Sequence, residues 1–175
     1  MSAITKFEDT IGGLLKPIPH LPTAGQKWLA ENVWWIILVG VILSGISVLT
    51  TIGGIFTALA FLGAATSYFG YYAVQSYTGW WVLASVISLL FMIAIVVISA
   101  ISINPLKAMK KKGWDMLFLT LLISAASIVV SLIVNITSIG VGFVFGIIFG
   151  LIGLAIGAYF IYEIRSYFKS AVAAK

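Results

Sequence analysis

Residues 116–162 read MLFLTLLISAASIVVSLIVNITSIGVGFVFGIIFGLIGLAIGAYFIY, 47 positions between Asp115 and Glu163 without a charged side chain. A helix that crosses a bilayer needs about 20 predominantly apolar residues. The stretch therefore holds two spans, 114–135 and 141–163, joined by a tight turn over Ile136–Gly140. A second uncharged run, 75 residues between Glu31 and Lys107, has room for two or three more.

Composition agrees with this reading. Of 175 residues, 62% are hydrophobic and 9% are charged, against roughly half and a quarter in soluble domains. Mean hydropathy is +1.17. A core of this size could not hide so much apolar surface from water, so a soluble globular protein is excluded. The chain is expected to be an all-α integral membrane protein. No short apolar core with a cleavage site precedes the first span, so no secretory signal is expected.

The longer run divides less evenly. Thr23 to Gln26 has the form of a capping box that opens a helix, which runs through Trp28, Trp34 and Trp35 to Thr50 as the span 27–50. Gly53-Gly54 favours a break, since glycine weakens a helix. Residues 55–78 begin apolar, then turn interfacial with Tyr68, Tyr71, Tyr72 and Tyr77. They are read as a prolongation of the first span plus an interfacial or re-entrant segment on the outer side, with a complete fifth span as the alternative. The next full span covers 80–103 and ends at Asn104-Pro105. Ahead of all this, residues 1–22 form an N-terminal segment. Ile4, Phe7, Ile11, Leu14 and Leu15 fall on one helical face there, the pattern of an amphipathic helix lying in the headgroup plane. Residues 23–175 make one transmembrane domain.

Charge sets the expected orientation. The loop carrying Lys107, Lys110, Lys111 and Lys112 and the tail with Arg165, Lys169 and Lys175 hold seven of the ten basic residues. Two spans separate loop from tail, so both lie on one side, which the positive-inside rule makes cytoplasmic. Four spans bring the N-terminus, with Lys6, Lys16 and Lys27, to that side as well. Five would put it outside. The chain is similar in general type to small bacterial inner-membrane proteins, and that membrane is its expected setting.

Several patterns are candidates for function. Gly142, Gly146, Gly150, Gly153 and Gly157 recur at intervals of three and four on the last span, where small residues make a groove for a neighbouring helix backbone. Leucine at Gly146 or Gly150 is expected to disrupt that approach, and leucine at Gly12 is not. Ser124, Ser127 and Ser131 share a face with Thr120 on the third span, with further serines on the others. These hydroxyls either line a wet path or hydrogen-bond across and within helices. The run Lys107–Lys112 is placed to contact anionic lipid headgroups.

The absences are informative too. There is no cysteine, so thiolate metal sites and a cysteine nucleophile are excluded. No ionisable group lies in the interior of a span, and the few at span ends sit at headgroup depth, whereas proton relays and voltage sensors use intramembrane ones. His20 reads as a solvated loop residue without a metal-ligand partner at a familiar spacing. No catalytic set can be assembled, and neither a cofactor nor nucleic-acid binding is expected. The expected function is that of a non-enzymatic scaffold or accessory subunit, working by helix packing as a homo-oligomer or with a partner membrane protein. The alternative is a passive channel or carrier for a small neutral or apolar solute.

Overall fold

The computed structural model describes residues 3–69, 71–134 and 141–169, and they are helical almost throughout. In chain order the helices are α1 (Ala3–Leu15), α2 (Thr23–Phe69), α3 (Tyr71–Lys107), α4 (Lys111–Val134), α5 (Val141–Glu163) and α6 (Arg165–Lys169). Four of them, α2 to α5, are long and apolar enough to cross a membrane. The protein is an all-α membrane bundle.

Neighbours in sequence are neighbours in space: α2 packs on α3, α3 on α4 and α4 on α5. The core lies at one end, here the basal end, where α1, the α3–α4 turn and α6 also gather. Ala30 and Val33 of α2, Leu106 of α3, Trp114, Leu117, Phe118 and Leu121 of α4, Ala158 of α5, then Ile164 and Phe168 form one buried cluster. Trp114 stacks on Phe118 with ring centroids 5.4 Å apart, and both meet the Tyr162 ring edge-on. Trp114 Nε1 donates to the Ile161 carbonyl at 2.8 Å. An indole in that position locks α4 to α5.

The α3–α4 connection is as tight as the chain allows. Pro105 is accommodated in the last turn of α3. Lys110 N–H donates to the Pro105 carbonyl and Met109 N–H to that of Leu106, both at 2.9 Å, the bond pair of a Schellman ending. Met109 takes the left-handed position, φ 51°, normally given to glycine. Gly113 then lies against the turn so closely that a Cβ there would come within 2.7 Å of Leu106 N and 2.9 Å of the Pro105 carbonyl carbon. Only glycine fits.

The other end is different. At 1.5 Å per residue the 47 residues of α2 extend about 70 Å and the 37 of α3 about 55 Å, against about 35 Å each for α4 and α5. Measured from the level of the basal core, the α2–α3 hairpin overhangs α4 by about 20 Å. The expected break at Gly53-Gly54 does not occur. The helix passes straight through, so residues 55–69 prolong the first span and residues from 71 onward begin the next one. Neither a re-entrant turn nor a separate interfacial helix forms between them among the described residues. In apolar surroundings every backbone amide must find its partner inside the helix, and that demand outweighs the roughly 1 kcal/mol propensity cost of each glycine. Residue 70, the turn at 135–140 and the residues from 170 onward lie outside the described residues. The side chains of the aromatic group 68–81 do so as well.

Candidate functional site

The basal end holds a polar cluster built from segments far apart in sequence. The Glu163 side chain, at the end of α5, is 3% exposed. Its two oxygens accept three hydrogen bonds: His20 Nδ1 at 2.6 Å, the Leu21 backbone N–H at 2.9 Å and Gln26 Nε2 at 2.9 Å. A carboxylate removed from water is costly unless its lone pairs are occupied, and here the loop between α1 and α2 occupies them. Gln26, expected to reach back as a helix cap, donates to Glu163 instead.

Beside it, Arg165 Nη2 donates to Glu8 Oε1 of α1. The guanidinium also lies 5.5 Å from the Trp114 ring centroid and 5.7 Å from that of Tyr162, within cation–π range. Tyr162 OH donates to the Glu8 carbonyl at 2.5 Å, Tyr159 OH to Pro19 at 2.8 Å and Tyr167 OH to Thr23 at 3.3 Å. These bonds fasten α1 and the loop after it to α5 and α6. Between them opens a cavity of about 730 Å³, lined by Lys16, His20, Gln26, Tyr159, Glu163 and Arg165 among others.

The sequence reads His20 as a solvated loop residue, and its side chain is indeed 61% exposed, but no local spacing links it or Glu8 to the Glu163–Arg165 pair at the end of α5. The structure brings them together. One signal was available: an acid closing a 47-residue uncharged run must find donors or stay in water.

A second cavity, about 340 Å³, opens among the spans between Ile37, Ser99, Thr120, Ser124, Gly150 and Gly157. Two of its hydroxyls bond within their own helix, Thr120 to the Met116 carbonyl and Ser124 to that of Thr120. Beside it, Ser127 donates to the Ser124 carbonyl and Ser102 to that of Ser99. Ser131 lies one turn further along the same face of α4.

The glycines of α5 are not equivalent. A Cβ at Gly150 would touch Ile128 at 3.5 Å and one at Gly157 would touch Leu121 at 3.7 Å, both ordinary side-chain contacts. Gly146 and Gly153 have nothing within 4 Å. The surroundings of Gly142 lie outside the described residues. Within the chain, then, the backbone approach expected at Gly146 and Gly150 is found at Gly113. Gly12, expected to be open, lies with its Cβ position 3.1 Å from Tyr162 Cε1. A period of four in the sequence marks a smooth helix face, whereas the partner of that face is set by tertiary packing.

Of the lysine run, Lys107 Nζ stands 5.1 Å over the Trp34 ring, while Lys110, Lys111 and Lys112 are exposed around the α3–α4 turn. Among the described residues, no three histidine, aspartate or glutamate side chains are grouped to hold a metal ion. Comparison with known proteins finds no matching family model, no matching curated protein and no matching solved structure.

Proposed function

We propose that the protein is a non-enzymatic membrane scaffold or accessory subunit whose long α2–α3 hairpin presents a packing surface to other membrane helices. The basal end, with its lysines, faces the cytoplasm of a bacterial inner membrane by the positive-inside rule. The overhanging hairpin carries the reading. In the sequence the unbroken apolar run of α3 begins at about Trp80–Val82, after Ser76-Tyr77-Thr78-Gly79, and 22 residues from there fill the hydrocarbon thickness. Residues equidistant from the tip at position 70 stand at similar heights, so α2 from about Thr57 onward rises above that boundary. Leu59 and Phe61 are exposed there, Phe61 at 70%, with Phe56 exposed at the boundary, and Gly63 is open on the same helix. Apolar surface beyond the bilayer calls for a protein partner.

The chain has no cysteine of its own, so Phe56→Cys and Phe61→Cys give clean single-site cross-linking in native membranes. Cross-linked dimers or a captured membrane protein, obtained at these positions and not at Lys111→Cys, are the expected result. A chain that stays monomeric and uncross-linked at the hairpin, with Phe56→Ala/Phe61→Ala unchanged in behaviour, overturns the reading.

A passive pathway for a small neutral solute is supported by the hydroxyl-lined cavity at Ser99, Thr120 and Ser124. Flux of such a solute from loaded liposomes, blocked by Ser124→Leu, would favour it over the scaffold.

A further inference from the structure

The basal cavity is larger than the polar cluster needs. Glu163 has its three donors and Arg165 has Glu8, yet about 730 Å³ stays open between α1 and the end of α5. Two cationic side chains, Lys16 and Arg165, line it with the His20 imidazole and the Gln26 amide, against one carboxylate that is already bonded. Lys16 makes no ion pair among the described residues. The wall formed by α1 has space at Gly13, which lines the cavity and where a Cβ would meet nothing within 4 Å. With Arg165 held by Glu8, the ammonium of Lys16 and the open space favour an anion.

The cavity has an apolar continuation. Tyr159 lines it, and on a helix the residues three and seven positions earlier share its face. Those are Ile156 and Ile152, 52% and 49% exposed. The stripe leads from the cavity into the hydrocarbon region. On the α1 side, Leu14 and Ile18 are exposed next to Lys16. A ligand that matches both parts has a phosphate at its head and hydrocarbon chains beneath.

We infer that this cavity binds the headgroup of an anionic phospholipid, with the phosphate near Lys16 and Arg165 and the acyl chains along Ile156 and Ile152 of α5. The site is separate from the run Lys107–Lys112, which lines no part of it, and it does not depend on the scaffold reading.

The test uses the full chain, stripped of lipid in detergent and then given phosphatidylglycerol or phosphatidylcholine, with bound lipid counted by native mass spectrometry. Preferential retention of phosphatidylglycerol is expected. Lys16→Glu should lower it about tenfold or more, since each basic residue near such a headgroup contributes about 1 kcal/mol and reversal counts twice. Gly13→Leu, which fills the cavity without changing charge, should lower it comparably. Thermal unfolding of both variants should be no lower than the parent's, because Lys16 is exposed and Gly13 has room. The triple change Lys110→Gln/Lys111→Gln/Lys112→Gln should leave retention within about twofold. Equal retention of the two lipids overturns the inference, as does loss in the triple variant with Lys16→Glu and Gly13→Leu unaffected. Glycerol phosphate is the third arm. If it displaces the lipid at equal concentration, the site takes a free phosphate and the acyl-chain stripe plays no part, which also overturns it.

Discussion

The basal end and the hairpin tip are made from the same two helices, α2 and α3, and behave as opposites. At the base, Leu106 is fully buried and Ala30 with it, among Trp114, Phe118, Ile164 and Phe168. Toward the tip, α2 exposes Leu43, Ile46, Leu49, Phe56 and Phe61, and among the described residues its one deeply covered side chain there is Ala65. Polar groups divide the same way. Glu163, His20, Gln26, Glu8 and Arg165 bond across 137 to 157 residues of sequence. The hydroxyls of Ser47, Thr50, Thr51 and Thr57 bond only three or four residues back along their own helix. Deep burial is concentrated at one end. The hairpin holds its form through helix bonds and the contact of α2 with α3, and relies on lipid or a partner for cover.

The contrast breaks most easily at the glycines. Gly113→Ala should cost about 3 kcal/mol, because the new methyl meets the backbone of Pro105 and Leu106 and must push α3 from α4. Gly53→Ala and Gly54→Ala, where nothing lies within 4 Å, should instead stabilise by up to about 1 kcal/mol through helix propensity. Thermal unfolding in one detergent compares the three. Equal signs at base and hairpin would mean that the two ends do not differ in packing.

Glu163→Ala comes next, at about 2 kcal/mol, since it strands the donors of Leu21 and Gln26 in a partly buried setting. His20→Ala should cost less, because that side chain is 61% exposed and regains water. Faster deuterium exchange over 16–26 in Glu163→Ala, with the α2–α3 hairpin unchanged, would confirm that the carboxylate fastens the loop locally.

Met109→Gly should stabilise by about 1 kcal/mol, relieving a left-handed residue that carries a side chain. Chemical denaturation of both proteins measures it, and a loss of stability would mean that the partly buried Met109 side chain contributes more to the core than its backbone costs. The smallest effect belongs to Gly146→Leu, expected within about 0.5 kcal/mol of the parent in a monomer, whereas Gly12→Leu crowds Tyr162 and should cost about 1 kcal/mol. If Gly146→Leu instead dissociates an oligomer seen by size and mass, the open face of α5 is a contact between chains.

Hydropathy made the spans legible. The charge-free runs, the lysines at Lys107–Lys112 and the closing Glu163 bound four apolar helices, because the bilayer imposes a length on each. Trp114 was less legible. Next to lysines it has the pattern of a headgroup anchor, yet its ring is 1% exposed in the core. The cluster around Glu163 was hidden for a different reason. No local spacing links residue 20 to residue 163, and only the return of α5 to the base brings the two together. Gly113 gave no signal either, for a solitary glycine beside a lysine run resembles a loop residue until the Met109 turn folds it against Pro105.

The link between Glu8 and Arg165 also sets an order of assembly. Its two halves lie at opposite ends of the described chain, so a ribosome must deliver all four spans before α1 has anything to hold. Until then Glu8 and His20 wait without their partners, and the basal end stays open to proteases and chaperones on its side of the membrane. The closing of α1 over Arg165 therefore reports that insertion is complete, and a product halted before Glu163 would be recognisable by an N-terminal helix left unfastened.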